Sequence, residues 1–236
     1  MQATDTREGL WCVVPAAGRG ARFGGERPKQ YVPLAGQPLL MWTLQRLASS
    51  RHVAGLMLVL AEHDSHWPGL QSVGGKPVLT TIGAGERSGS VLAGLRALPD
   101  AVASGDYVLV HDAARPCVSA LDIARLVDEG MAAGGGLLAA PLRDTLKRAD
   151  DALRVAATEP REACWRALTP QLFRRGELAA ALEHAAAIGI AITDEAMAME
   201  RMGHRPLLVE GADSNIKVTT PADLALAEYL LSKVER

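Results

Sequence analysis

Short apolar runs alternate with helical patterns along most of this 236-residue chain, and the alternation constrains the fold more than any other feature. Five apolar runs predict buried strands: "WCVVPA" at Trp11, "GLMLVL" at Gly55, "YVLVHD" at Tyr107, "GGLLAAP" at Gly135 and "PLLVEG" at Pro206. Helices are predicted over Pro38 to Ser49, Glu86 to Leu98, Ala120 to Ala133, Arg174 to Ile188, Asp194 to Met202 and Pro221 to Val234. The pattern indicates an α/β fold with a doubly wound, mostly parallel sheet covered on both faces. Ligands in such folds bind beyond the carboxyl ends of the strands.

The size and charge of the chain narrow the class of protein further. A chain of 236 residues with 48% hydrophobic content and a formal net charge of -2 predicts a single folded domain, and argues against an extended nucleic-acid surface. The first nine residues contain no apolar signal region, and no run approaches the length of a membrane span. Three widely separated cysteines without a C-x-x-C pair argue against a disulfide framework or a zinc site. We therefore expect a cytoplasmic protein without a membrane partner.

A glycine-rich stretch, "CVVPAAGRGARFGGERPKQY", follows the first predicted strand but fits neither common phosphate-binding pattern. Gly18 and Gly20 begin a G-x-G-x-x-G, yet Phe23 stands where the third glycine is needed. Gly20 and Gly25 have the outer spacing of a Walker loop, yet Glu26 replaces its lysine. Any anion held by this loop is therefore held in another way.

Basic side chains surround those glycines and favour an anion site. Arg19, Arg22, Arg27 and Lys29 all lie within or just after the loop, where backbone N–H groups can converge at a strand end. The alternative is a surface turn with solvated cations, which is the usual interpretation of a lone glycine-rich loop. Four cations around one turn favour binding.

Two further segments lie where strands lead into helices. In "GAGERSGSV", Gly83 to Val91, small residues allow close backbone approach to a flat ligand and Ser90 offers a hydroxyl, although a capped turn explains it equally well. In "VLVHDAARPCVS" the Asp112 carboxylate suits a metal or a ligand hydroxyl, and its combination with Arg115 favours a functional role. A turn-capping aspartate is the alternative, and His111 is interpreted as structural.

The last third of the chain adds a lysine and an acidic turn. Lys217 lies in an apolar, β-prone segment, where a buried ammonium needs an anionic partner such as a substrate phosphate. Thr193, Asp194 and Glu195 read as a helix N-cap followed by acids in the first turn.

One segment interrupts the alternation of strands and helices. "DTLKRADDALRVAATEP", Asp144 to Pro160, has two polar–apolar stretches around Asp150 and Asp151, which predict an exposed β-hairpin. An isolated hairpin is marginally stable, so this one needs a surface to pack on.

Seven motifs in order, spread over nearly the whole chain, resemble the 2-C-methyl-D-erythritol 4-phosphate cytidylyltransferase family. They are "PAAGRGARFG" with "PKQY", "GAGERSGSV", "HDAARP", "RDTLKR", "ALTPQLF", "TDEA" and "NIKVTTPADL". The resemblance implies a nucleotide-diphospho-sugar transferase-like fold. It also implies transfer of CMP from CTP to methylerythritol phosphate with release of pyrophosphate.

The resemblance also implies roles for individual residues, Mg²⁺ as cofactor, and a homodimer whose hairpin arms, about residues 144–160, embrace. Arg22 and Lys29 match the pair that stabilises the transition state, and Arg161 and Lys217 match the pair that positions methylerythritol phosphate. The cytidine pocket is implied at Pro15, Ala16, Ala17, Gly18, Gly83 and Ser90. The second substrate is implied at Asp112, Ala113, Arg115, Thr145, Thr169 and Thr193.

Two alternatives stay open on the sequence. One is a cytidylyltransferase for another polyol phosphate such as ribitol 5-phosphate. Such an enzyme shares the glycine-rich loop and a motif similar to "HDAARP". The other is a CTP-binding regulatory module without turnover. The presence of both Lys29 and Lys217 argues against the second alternative, because binding alone needs fewer fixed cations.

Overall fold

The computed structural model describes residues 9–18, 23 and 27–234. Twelve strands occur in them: β1 Leu10–Pro15, β2 Pro33–Leu34, β3 Gln37–Pro38, β4 Val53–Leu60, β5 Ser72–Val73, β6 Lys76–Ile82, β7 Tyr107–Val110, β8 Gly136–Pro141, β9 Leu146–Ala149, β10 Val155–Glu159, β11 Trp165–Arg174 and β12 Leu207–Glu210. The α-helices there are α1 Leu39–Ala48, α2 Arg87–Arg96, α3 Ala120–Ala133, α4 Arg175–Ala187, α5 Glu195–Arg201 and α6 Pro221–Val234. A short 3₁₀ turn covers Lys29–Tyr31.

Eight of the strands form one sheet in the order β12-β8-β11-β7-β1-β4-β6-β5. The pairs β12/β8, β7/β1, β1/β4 and β4/β6 are parallel, whereas β11 runs antiparallel to both of its neighbours and β5 is an antiparallel edge. The predicted mostly parallel α/β sheet is confirmed, and so are the five predicted strands.

Helices cover both faces of the sheet because successive side chains of a buried strand point to opposite sides. In β1, Cys12 and Val14 join the core on the face covered by α1 and α3, whereas Val13 joins the core on the face covered by α2, α4 and α5. Because both of its faces are buried, the strand is apolar in every position, as expected of a parallel strand.

The six predicted helices are all present, and their ends lie within one residue of prediction except at the end of α2, which stops at Arg96 rather than Leu98. Ser119 caps α3 by accepting a hydrogen bond from the backbone N–H of Asp122, and Gly134 ends the helix in the left-handed conformation that glycine favours. Within the described part of the chain, no helix combines the length and apolar character that a membrane crossing requires.

The predicted hairpin is present as β9 and β10, which pair antiparallel. Asp150 closes its turn by accepting hydrogen bonds from the N–H groups of Ala152 and Arg154. Its apolar side chains face solvent, with Leu153 89% and Val155 67% exposed. The role of this arm in a dimer stays a prediction.

Candidate active site

A cavity of about 230 Å³ lies where the loops leave the carboxyl ends of β1, β6 and β7. Its described lining consists of Pro15, Ala16, Ala17, Gly18, Lys29, Gln30, Ala84, Gly85, Glu86, Arg87, Ser90, Asp112, Ala113, Ala114 and Lys217. Four chain segments predicted separately from the sequence therefore meet at one place: the glycine-rich loop, the turn before α2, the end of β7 and the segment before α6.

The turn before α2 is held by Ser90 rather than left open for a ligand. Ser90 Oγ lies 3.1 Å from the carbonyl oxygen of Ala84 and 3.0 Å from that of Glu86, and its single proton is donated to one of the two. It also accepts from the N–H of Ala84, and the residue is buried. A methyl group at Gly83 would lie 2.7 Å from Ser90 Oγ and 2.8 Å from Ala17 Cβ, so only glycine fits. Ser90 and Gly83 therefore fix the shape of the turn at this side of the cavity.

Asp112 is the centre of a buried charge cluster. Its Oδ1 accepts from Arg87 Nε at 2.9 Å, and its Oδ2 lies 3.0 Å from Lys217 Nζ and 3.4 Å from Arg115 Nε. Burial alone would raise the pKa of Asp112, but Arg87, Lys217 and Arg115 together lower it well below its usual range. The carboxylate is therefore ionised and already paired with three cations.

Arg87 links that cluster to helix α5. Its guanidinium donates to both oxygens of Glu195, at 2.6 and 3.1 Å, while Nε binds Asp112. Burial tends to lower the pKa of Arg87, but Glu195 and Asp112 outweigh it and raise the pKa. The sequence predicts neither residue as part of a site: Arg87 carries no prediction, and Glu195 is interpreted only as an acid in the first turn of a helix.

The first turn of α5 differs from its sequence interpretation. Asp194, not Thr193, caps the helix by accepting from the N–H of Met197. Glu195 is fully buried rather than a solvated first-turn acid, because its carboxylate is the partner of Arg87. Gln171 fixes the same turn by donating to Asp194 Oδ2 and accepting from the N–H of Ala196.

A buried polar layer supports Asp112 from behind. Thr169 Oγ1 accepts from the Asp112 N–H at 3.1 Å and lies 2.9 Å from His111 Nδ1. His111 Nε2 lies 3.1 Å from the carbonyl of Arg115, which can only accept, so the proton is on Nε2. Burial lowers the pKa of His111 to about 4, so the imidazole is neutral at pH 7. His111 is structural, as predicted.

Lys217 has a protein partner where the sequence suggested a substrate phosphate. Its Nζ pairs with Asp112, its side chain is 38% exposed, and the segment that carries it is irregular rather than a strand. Arg115 fastens this segment by donating to the carbonyl of Asn215 at 2.7 Å. The ammonium therefore faces the cavity with one side while Asp112 holds the other.

Several predicted residues lie outside the described lining of the cavity. Thr145 and Arg161 are exposed at the base of the hairpin, where Arg161 donates to the carbonyl of Arg143. Thr193 is exposed beside Met197. Arg115 and Thr169 are buried behind the residues that line the cavity. Arg22 lies outside the described residues. Their predicted contacts with substrate stay predictions.

The described residues offer little to a metal ion. No three of their His, Cys, Asp and Glu side chains converge as metal ligands. Asp112 lines the cavity, but three cations already share its two oxygens. A Mg²⁺ ion at this place would therefore depend on oxygen ligands that a phosphorylated substrate brings with it.

Comparison with known proteins agrees with this geometry. The family model for 2-C-methyl-D-erythritol 4-phosphate cytidylyltransferase matches residues 10–233. A relative of that name from Xanthomonas euvesicatoria pv. vesicatoria (strain 85-10) is 58% identical over 94% of this chain and 84% of its own length. Another from Stenotrophomonas maltophilia (strain R551-3) is 58% identical over 95% of this chain and 97% of its own.

Solved structures give the same result. A 4-diphosphocytidyl-2C-methyl-D-erythritol synthase superposes with a TM-score of 0.82 at 35% identity, covering 95% of this chain and 100% of that one. The Francisella tularensis 2-C-methyl-D-erythritol 4-phosphate cytidylyltransferase has a TM-score of 0.80 at 31% identity, covering 94% and 99% of the two chains.

Proposed function

The chain belongs to the 2-C-methyl-D-erythritol 4-phosphate cytidylyltransferase family, and on that premise we propose that it transfers CMP from CTP to 2-C-methyl-D-erythritol 4-phosphate. One observation supports placing this reaction in the cavity. Lys29 and Lys217 line the same cavity as the base-shaping loops of residues 15–18 and 84–86. A nucleotide bound by those loops therefore shares its cavity with two lysines.

The chemistry requires positioning and charge neutralisation more than proton transfer. A phosphate oxygen of methylerythritol phosphate attacks the α-phosphorus of CTP in line, the bond from that phosphorus to the bridging β-oxygen breaks, and pyrophosphate leaves. The attacking oxygen is already anionic, so no general base is needed. Fixed cations lower the barrier by neutralising charge on the equatorial oxygens.

Each cation has a place in the proposal. Lys29 and Arg22 stabilise the transition state at the α-phosphate, and Lys217 and Arg161 hold the acceptor phosphate. Asp112 keeps Lys217 in place at 3.0 Å and, with Ala113, borders the acceptor side of the cavity. Mg²⁺ supplies further positive charge when CTP brings it, bound through the nucleotide's own phosphate oxygens.

The proposed enzyme is a cytoplasmic homodimer joined through the hairpin arms. The exposed apolar residues Leu153 and Val155 support a partner surface for the arm, because an isolated hairpin of this length is marginally stable. Thr145 and Arg161 flank the arm and would reach the partner subunit's cavity, which is consistent with their exposure and their absence from the described lining of their own cavity.

Pyrophosphate release tests the proposal directly. The protein is assayed with CTP and methylerythritol phosphate and, in parallel, with CTP and ribitol 5-phosphate. We expect turnover with the first acceptor and little with the second. The reverse preference would make the chain a cytidylyltransferase for another polyol phosphate, and CTP binding without turnover on either acceptor would make it a binding module.

A further inference from the structure

The turn that carries Lys29 is fastened at two points by the residues that follow it. The 3₁₀ turn spans only Lys29–Tyr31. Its second and third residues, Gln30 and Tyr31, are buried. Short 3₁₀ turns have few internal hydrogen bonds, so their orientation depends on the contacts of their side chains. The orientation of the turn that carries Lys29 therefore depends on what Gln30 and Tyr31 contact.

Gln30 joins this turn to the loop that shapes the base pocket. Its Nε2 donates to the carbonyl of Ala16 at 2.6 Å, across fourteen positions of sequence. Ala16 in turn donates its N–H to the carbonyl of Val59, which anchors it to the sheet. Ala16, Lys29 and Gln30 all line the cavity, so the bond lies in the cavity wall and joins the turn of Lys29 to the loop of residues 15–18.

Tyr31 fixes the other side of the turn. Its hydroxyl donates to Asp64 Oδ2 at 2.8 Å, and its ring stacks on His66 with centroids 5.1 Å apart. Asp64 Oδ1 accepts from the N–H groups of His66 and Trp67, so the receiving carboxylate is itself fixed. With this side held on the loop after β4, the Gln30 amide determines how close the turn lies to Ala16.

From these contacts we infer that Gln30 is a positioning residue for Lys29: it holds the lysine at a fixed distance from the base-shaping loop. The inference rests on the proposed function for its activity readout. A displacement of about 1 Å at a reacting centre can cost a hundredfold in rate, so loss of the bond acts on kcat more than on protein stability. Nothing in the reaction requires Gln30 to touch the transferred group.

A double-mutant cycle between Gln30 and Lys29 tests the inference. Gln30→Met keeps the length of the side chain and removes the donor, and we expect it to lower kcat at least tenfold. In a Lys29→Ala background the same change should cost less than about twofold, because the residue to be positioned is absent. Gln30→Asn, which is one methylene too short to reach Ala16, is the second variant and should repeat the result if Gln30→Met folds poorly.

The matched control is Gln45→Met, since Gln45 is bonded to Gln37 on the protein surface and should keep wild-type turnover. Additive losses for Gln30 and Lys29, or wild-type kcat in a folded Gln30→Met protein, would overturn the inference. If wild type itself shows no turnover, the proposed function fails, and the dissociation constant for CTP is measured instead for the wild type, the two single variants and the double variant. Non-additive effects of the Gln30 and Lys29 substitutions on that constant would support the role of Gln30, and additive effects would refute it.

Discussion

Arg87 and Glu195 lie 108 positions apart in sequence and form a two-pronged ion pair beneath the cavity, with Nη1 to Oε1 at 2.6 Å and Nη2 to Oε2 at 3.1 Å. The pair connects the first residue of α2 to the first residue of α5. The acidic side chain is fully buried. Two helices on one face of the sheet are therefore joined by a single guanidinium that also holds Asp112.

Replacement of Glu195 by Gln should destabilise the protein. Removing one partner of a buried pair leaves the other charge poorly compensated, and the expected loss in the free energy of unfolding is about 3 kcal/mol. Urea denaturation measures it. The control is Glu183→Gln, which breaks the exposed pair with Arg96 and should cost less than about 1 kcal/mol. Equal small losses for both variants would mean that Arg87 is satisfied by Asp112 alone.

Replacement of Lys29 by Ala should lower kcat at least about a hundredfold, the usual scale for losing one electrostatic donor to a transition state. The fold should survive, because Lys29 is only half-buried. Steady-state pyrophosphate release and a melting curve check both statements. Lys233→Ala, an exposed lysine on α6, is the control. Near-normal turnover of folded Lys29→Ala would remove this lysine from the mechanism.

Replacement of Gly83 by Ala should damage the base pocket. The added methyl group would meet Ser90 Oγ at 2.7 Å, so the turn that Ser90 holds must shift. We expect wild type to favour CTP over UTP strongly, because the wrong pyrimidine leaves a fixed backbone group unpaired, and we expect Gly83→Ala to reduce that preference. The ratio of kcat/KM values for the two nucleotides measures it.

Gly105→Ala serves as the comparison for Gly83, since a methyl group at Gly105 meets nothing within 4 Å. Comparable kcat/KM values for CTP and UTP in wild type would show that the pocket does not read the pyrimidine edge. If the ratio of kcat/KM for CTP and UTP is unchanged in Gly83→Ala, the turn at Gly83 does not contribute to recognition of the pyrimidine.

His111 should make stability fall as pH is lowered between about 6.5 and 4. Burial lowers its pKa from 6.5 to about 4, so in this window the unfolded chain binds a proton that the folded protein refuses. The stabilisation is complete above pH 6.5 and is lost toward pH 4, with a slope of at most about 1.4 kcal/mol per pH unit. His111→Gln should flatten the curve and His63→Gln, at an exposed position, should not. Parallel curves for wild type and His111→Gln would contradict this assignment.

A shared active site should be visible by subunit mixing. Lys29→Ala and Arg161→Ala proteins are prepared separately, shown to be nearly inactive, and mixed under conditions that exchange subunits. If Arg161 acts in the partner subunit's cavity, a mixed dimer has one intact site and one doubly damaged site. Random exchange then restores about a quarter of wild-type activity by symmetry. No recovery after verified exchange would return the hairpin to a purely structural role.

The sequence predicted the framework because burial on both faces leaves a local signal. The runs at Trp11 and Gly55 are apolar without interruption, and the chain folds there as β1 and β4. Two of the longer strands, β6 and β11, were not predicted, and neither were the two-residue strands β2, β3 and β5. In β6 only Val78 is buried, and β11 begins with exposed residues and contains the polar Thr169 and Gln171.

The charge cluster was harder to predict because its members give no local signal. Arg87 and Glu195 each resemble an ordinary charged residue in the first turn of a helix, and only the fold shows that they meet. The same holds for Lys217, whose partner Asp112 lies more than a hundred positions earlier in the chain. Motifs located the segments correctly, whereas the pairing between segments depends on sheet order.

The reversed direction of β11 within the sheet determines which loop of the structure can change in length. β8 ends at Pro141 and β11 begins at Trp165, so both meet the hairpin at the edge of the sheet where the nucleotide loops also emerge. The hairpin can therefore lengthen, shorten or exchange its tip without altering the register of any core strand. Under the proposed function, insertions and deletions in the hairpin would therefore alter acceptor specificity and subunit pairing without disturbing the loops that line the cavity.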